Sequence, residues 1–343
     1  MQIESRHTIE LGCELPVEAV RTAFAEARRT VLVAHTNADG DAVGSVTGMY
    51  AVLRKMTSSH LTPMLPDGCP DDLRWLPNTG AILSGQSDYE ACLKAIEEAD
   101  TVVAVDLNNL DRTGRLAEAF AQSKARKLLF DHHEGPDREA FDIVVSDPEI
   151  SSTCELIYWS MREVFGPEAF DLDSAISLYT GICTDTGTFS YSNTLPGVYT
   201  AAAELLHYGI DPMAINREIK NVFTPQRLQF FGYAISQRLT IYPEQQVALM
   251  VLRKSDMESY CVESHELTGL INEVMRLHDT DCGILIREED GKVRLSLRSK
   301  TRYDVNRLAG ELFGGGGHVR AAGATSLLTL DETVETVKRR LAL

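Results

Sequence analysis

Four short runs of this chain carry the residue types that hold cations or move protons. They are His35, Asp39 and Asp41 in VLVAHTNADGD, Asp106 in TVVAVDLNN, Asp131, His132 and His133 in LLFDHHEGP, and Asp185 in GICTDTGTF. Nearly all of these residues follow a short apolar run. In an open α/β sheet the carboxyl ends of the strands face the crevice where ligands bind, so four clusters at strand exits would converge there. Carboxylates and imidazoles gathered this closely repel or desolvate at a cost that a divalent cation removes. Oxygen-rich donors with one imidazole per ion suit Mn²⁺ or Mg²⁺ better than a structural zinc. Taken singly, each run has a bland explanation: Asp39-Gly40-Asp41 as a turn with capping carboxylates, His132 as a satisfied structural histidine. Turn residues have no shared reason to follow successive buried strands with the same ligand chemistry, and that conjunction points to one metal centre.

The elements that must place these residues alternate between helix and strand. A helix from Val17 to about Arg29 precedes a strand at Thr30–Val33, and Ala42 to Lys55 carries small and apolar residues at helical spacing. A strand near Leu61–Leu65, a helix at Tyr89–Glu98, strands at Thr101–Val105 and Lys127–Phe130, and a helix at Ser152–Phe165 capped by Ser151 or Ser152 follow. This order predicts an α/β fold with a mostly parallel sheet covered on both faces, over residues 1–195. A helix-rich stretch over 196–237, punctuated by Gly209, Pro212 and Pro225, reads as a connector. Beyond it, 238–343 reads as a smaller α+β domain across a cleft. It begins with a pair of strands at Arg238–Tyr242 and Gln246–Leu252, then a helix near His265–Leu277. A second pair at Cys282–Arg287 and Lys292–Arg298 is joined by the turn-forming Asp290-Gly291. A helix at Val305–Phe313, the run GGGGH, a strand near Ala324–Leu328 and a last helix from Asp331 complete it.

Composition narrows the class. With 343 residues, 44% hydrophobic and 24% charged, the chain has the profile of a globular protein of two folding units. No apolar run approaches the ~20 residues of a membrane span, and MQIESRHTIELGCELP lacks a basic region followed by an apolar core. A cytoplasmic enzyme without a membrane partner is expected. Seven cysteines without a CxxC pair argue against a disulfide framework and a thiolate zinc site. A net charge of −17 opposes long-range attraction to nucleic acid backbones, so a polyanionic substrate must be recognised locally and long duplexes are not expected partners. Residues 281–320 supply a local contrast, with eight Lys or Arg against six Asp or Glu.

Within that segment Gly314 to Gly317 precede His318 and Arg320. Glycines there could present successive N–H groups to a phosphate, or form a turn after the preceding helix. Arg294, Ser296 and Arg298 alternate along one strand and share a face.

HTNADGD, the strand-end Asp106, DHH at 131–133 and Asp185 resemble the motifs of the DHH phosphoesterases, and GGGGHVRAAG resembles the DHHA1 signature. Together these motifs span His35 to Gly323, and the match is closest to the NrnA-like oligoribonucleases, which also act as 3′-phosphoadenosine-5′-phosphate (pAp) phosphatases. The resemblance implies two divalent cations, usually Mn²⁺, with Mg²⁺ or Co²⁺ as alternatives. His35, Asp39 and Asp106 would hold one ion, and Asp41, Asp106, His132 and Asp185 the other, with Asp106 bridging. It further implies that Asp131 orients His132, that His133 lies near the scissile phosphate, and that Arg298, Ser299, Gly315, Gly316, Gly317 and His318 bind substrate. The implied activity is hydrolysis of short RNA to nucleoside 5′-monophosphates, with pAp dephosphorylation to AMP as a second function. Hydrolysis of linear or cyclic dinucleotides (pApA, pGpG, cyclic di-AMP) and a regulatory nucleotide-binding role on a degenerate site are the competing readings. A homodimer remains an open assembly.

Overall fold

The structure, a computed structural model, describes residues 12–191, 193–220 and 223–343, the side chain of His265 excepted. Residues 1–11, which carry most of the N-terminal segment read for a leader, lie outside the described residues. The chain divides into two units, 1–222 and 223–343.

The first unit is built on six strands: β1 (Arg29–Val33), β2 (His60–Leu65), β3 (Leu83–Ser84), β4 (Thr101–Val105), β5 (Arg126–Asp131) and β6 (Ile143–Ser146). All pair in parallel in the order β3-β2-β1-β4-β5-β6. The order reverses between β1 and β4, which is where ligands bind in open α/β sheets. Helices α1 (Val17–Glu26), α2 (Gly40–Met56), α3 (Tyr89–Glu98), α4 (Ala117–Gln122), α5 (Thr153–Phe165), α6 (Leu172–Asp185), α7 (Pro196–Leu206) and α8 (Pro212–Lys220) complete the unit. Strand β4 is buried along its whole length, as a central strand covered on both faces must be. Leu32, Val103, Val105, Leu128 and Phe130 pack into one core, and Val31, Val33, Val102, Ala104 and Leu129 into another.

Helices α2 and α6 pack very closely, because Gly40, Gly44 and Gly48 recur every fourth residue on one face of α2. A Cβ on Gly44 would lie 2.6 Å from the Ser177 carbonyl, and one on Gly181 of α6 would collide with Cys154 Sγ. Helix α6 begins at a capping box formed by Asp171 and Ser174.

The second unit holds α9 (Pro225–Gln237), β7 (Leu239–Tyr242), β8 (Val247–Leu252), α10 (Lys254–Ser259), α11 (Leu270–Val274), β9 (Cys282–Glu289), β10 (Lys292–Ser299), α12 (Val305–Phe313), β11 (Gly316–His318), β12 (Ala321–Ser326) and α13 (Leu330–Leu341). Its sheet runs β11-β12-β10-β9-β8-β7, antiparallel except for the β8–β9 pair. Both faces of β8 are covered: Val247 and Leu249 join a core with residues of α12 and α13, while Ala248, Met250 and Leu252 join one with α9, α10 and α11.

Several expectations are corrected. The stretch 196–237 does not stand apart as a connector. Helices α7 and α8 bury Val198, Ala201, Leu205 and Ile215 in the first unit's core, whereas α9 buries Phe230, Phe231 and Ala234 in the second. The helix expected over 265–277 is the shorter α11, preceded by a 3₁₀ turn. The last strand ends at Ser326.

Candidate metal centre

The loop after β1 carries His35 and then Asp39, which is the N-cap of α2 and accepts from the Asp41 and Ala42 amides at 3.1 and 3.0 Å. The bland reading of Asp39 is therefore correct as far as it goes, since the residue caps a helix and also faces His35 and Asp106. His35 Nδ1 donates to the Thr36 carbonyl at 2.7 Å, which leaves Nε2 as the lone-pair nitrogen, 3.3 Å from Asp106 Oδ2. Asp41, in the first turn of α2, is fully buried. The first amides of α5 hold its carboxylate, Thr153 N to Oδ2 at 2.7 Å and Cys154 N to Oδ1 at 2.9 Å. A helix N-terminus favours the charged form there.

Asp106 follows β4 with φ +57°, a left-handed conformation that Asp tolerates better than most residues. Its amide donates to the Phe130 carbonyl at 3.0 Å, and Thr153 Oγ1 donates to its Oδ1 at 3.0 Å. The two carboxylate oxygens face different histidines: Oδ2 faces His35, while Oδ1 lies 3.7 Å from His132 Nε2. The same His132 nitrogen lies 3.5 Å from Asp185 Oδ2 and 3.9 Å from Asp41 Oδ2. His35, Asp39 and Asp106 thus form one set of donors, Asp41, His132 and Asp185 a second, and Asp106 with His132 and His133 a third that overlaps it. Two donors each about 2.1 Å from one ion and at right angles to each other are about 3 Å apart, so these separations suit shared cations.

Asp185 does not leave a strand. It is the last residue of α6, and the close α2–α6 contact brings it to Asp41. Asp131 is corrected as well: its Oδ1 accepts from His133 Nδ1 at 2.7 Å, so it orients His133 and not His132. His133 Nε2 in turn meets Arg112 Nη1 at 3.1 Å. Sequence reading missed Arg112 and Thr153. Thr153 had a usable signal, being the first residue of a helix whose N-cap, Ser152, is legible and does accept from the Glu155 amide. Arg112 lies in an irregular 3₁₀ segment and had none.

The electrostatics match the chemistry of this donor set. Burial pushes the Asp106 carboxyl well above its ordinary range, and Asp41, Asp39, Asp185 and Asp131 add to the shift. Asp185 is pushed up to about 8, first by burial and then by Asp41 and Asp39. Burial raises Asp41 and lowers His35 in the same way. Such a cluster must take up either protons or cations, and it fits divalent ions.

In the second unit the glycine run is mostly strand. Gly316, Gly317 and His318 pair with Gly323, Ala322 and Ala321. A Cβ on Gly315 would strike the Gly323 carbonyl, and one on Gly317, at φ +147°, would lie 2.5 Å from the Ala321 carbonyl. These glycines are therefore needed for close strand packing, and the segment from Gly316 to His318 is exposed. Arg294, Ser296 and Arg298 share a face of β10 as their alternation predicts, and the groove there is lined by Arg287, Arg294, Ser296, Gly314, Gly315 and Thr325. Ser299 points to the opposite, buried side, where its hydroxyl donates to the Tyr303 carbonyl at 2.6 Å. Arg287 and Arg294 sit by Glu289 at 3.0 and 3.6 Å.

The DHH family, N-terminal domain, matches residues 29–182, and the DHHA1 domain matches 249–342. A Thermus thermophilus protein named bifunctional oligoribonuclease and PAP phosphatase NrnA is 29% identical over 308 residues, covering 89% of this chain and 87% of its own. Its namesake from Bacillus subtilis is 27% identical, covering 88% and 90%. The crystal structure of an exopolyphosphatase-related protein from Bacteroides fragilis superposes with a TM-score of 0.91 at 32% identity, covering 95% of both chains. Among the described residues no helix is long and apolar enough to cross a membrane. Two matched domains, the donor cluster at the switch point of the sheet and relatives spanning nearly the whole chain agree: the chain belongs to the NrnA-like DHH/DHHA1 phosphoesterases and is a hydrolase of phosphoester bonds.

Proposed function

We propose that this protein hydrolyses short oligoribonucleotides to nucleoside 5′-monophosphates and removes the 3′-phosphate of pAp, with two divalent cations, Mn²⁺ foremost, held by His35, Asp39, Asp41, Asp106, His132 and Asp185. The observation that carries the metal part of this reading is Asp106, whose two oxygens face His35 and His132 separately, as a bridging carboxylate requires. The relatives named as oligoribonucleases and PAP phosphatases support the substrate part. Two such ions would lower the pKa of an attacking water and neutralise charge on the phosphoryl oxygens.

The chain's own residues do the rest. Asp131 fixes the His133 tautomer, with Nδ1–H donated to the carboxylate, and Arg112 donates to Nε2. Arg112, oriented by His133, would receive a phosphoryl oxygen, its guanidinium supplying fixed positive charge and further donors. In the second unit, Arg298, with the backbone of Gly315 and of the exposed Gly316, Gly317 and His318, would bind substrate. Ser299 would serve by holding the Tyr303 segment. A cytoplasmic setting fits short RNA as the substrate.

The test is a side-by-side assay with Mn²⁺ of pAp, pGpG, cyclic di-AMP, a five-nucleotide RNA, long single-stranded DNA and inorganic polyphosphate. Preferred turnover of pAp and short RNA is expected. Faster hydrolysis of long DNA or polyphosphate would overturn the substrate assignment.

A further inference from the structure

Immediately after Asp185 the backbone does something expensive. Gly187, Thr188 and Phe189 are consecutively left-handed, at φ +55°, +56° and +61°. A β-branched residue in that region is a genuine outlier, and such strain persists only where the surroundings over-determine it. Here they do. The Thr188 amide donates to the Cys183 carbonyl at 2.7 Å, and the Phe189 amide donates to Thr186 Oγ1 at 3.0 Å. The Ser190 and Tyr191 amides both donate to the Thr186 carbonyl, at 2.8 and 3.0 Å. Asn193 Nδ2 then ties the segment back to the Asp185 carbonyl at 3.2 Å and to the Ser151 carbonyl at 3.0 Å. Thr186 itself is buried, with its hydroxyl donating to the Ile182 carbonyl.

The product of this tight coil is a set of aromatic rings that begins four residues beyond Asp185. The Tyr191 ring lies flush over Gly187, where any Cβ would collide with it, and Tyr191 is still 52% exposed. Phe189 stacks on Tyr199 at 5.5 Å with 21° between the rings, and Tyr199 is 55% exposed. A hydrophobic core would not leave two tyrosines on the surface, and a mere turn would not need three left-handed residues. We propose that Tyr191 is a base-stacking residue: its ring, held over Gly187 two residues beyond Asp185, receives the nucleobase next to the scissile phosphate. This inference rests on the proposed nucleotide hydrolase reading and gives it a base-recognition element. Stacking on an aromatic ring is tolerant of base identity, which suits an enzyme for short RNA of mixed sequence.

The experiment compares wild type, Tyr191→Ala, Tyr191→Phe and Tyr191→Leu on two substrates, the dinucleotide pApA and the same molecule with one base replaced by an abasic residue, while thermal melting confirms folding. Losing one base stack should raise KM for pApA roughly five- to 150-fold in Tyr191→Ala with kcat little changed. Tyr191→Phe should stay within about twofold, and Tyr191→Leu should resemble Tyr191→Ala. The abasic substrate should lose the difference between variants. Equal KM for wild type and Tyr191→Ala on pApA, or an equal loss on both substrates, would overturn the stacking role while leaving the hydrolase reading intact. A wild-type protein that cleaves neither pApA nor pAp would overturn that reading and this inference with it.

Discussion

The donor cluster of the first unit and the glycine hairpin of the second are both built from residues prominent in the sequence, yet they are assembled in opposite ways. The cluster is made by side chains arriving from β1, α2, β4, β5 and α6, and its partners are charges. The hairpin is made by backbone alone, with strand pairing and close approach as its content. A run of glycines identifies where main chain must come close, whereas scattered acids and histidines identify where charge must be gathered. Only the second kind of signal names a chemistry.

That contrast can be broken from either side. The largest separable effect is expected at Arg112, because a fixed cation facing the reacting phosphate supports charge that develops during reaction. Arg112→Ala should lower kcat on pAp by about 100-fold with melting unchanged, and an unchanged kcat would remove Arg112 from the phosphate site. Gly315→Ala attacks the other region, since its Cβ meets the Gly323 carbonyl. It should destabilise the second unit by about 2 kcal/mol in denaturant melts while Mn²⁺ binding to the first unit is retained. Loss of metal binding in that variant would show that the two regions are not independent.

The smallest effect concerns Asp281. Burial raises its pKa, but hydrogen bonds from the Thr301 hydroxyl and from the amides of Thr301, Arg302 and Tyr303 outweigh this and leave it below the ordinary carboxylate range. A depressed carboxylate contributes stability that is complete above its unfolded pKa and is lost as pH falls through the folded one. Asp281→Asn should therefore cost on the order of 1 kcal/mol at neutral pH and progressively less in acid, as followed by melting curves across pH. A cost that does not shrink in acid would contradict this.

Much of this arrangement is legible in the sequence. Helix α3 and strand β4 have the expected limits, Ser152 caps α5, and Asp290-Gly291 turns the β9–β10 hairpin with Gly291 at φ +72°. Those features rest on local periodicity and turn chemistry. What was not legible depends on tertiary contact. Asp185 sits after an apolar run that resembles a strand, and its helical setting follows from a capping box that begins at Asp171 and from glycines on a different helix. The pairing of Asp131 with His133 in place of His132 depends on which imidazole faces Asp41, Asp106 and Asp185, and adjacent residues in DHH look equivalent on paper. Arg112 reaches His133 from a segment with no periodic pattern.

Asp106 is proposed to bridge two cations needed for phosphoester hydrolysis. Measuring Mn²⁺ bound per chain together with pAp turnover, in wild type and Asp106→Ala, tests it most directly. Two ions are expected in the wild type, and at most one tightly held ion with loss of turnover in the variant. Full activity with near-normal metal content in Asp106→Ala would contradict it.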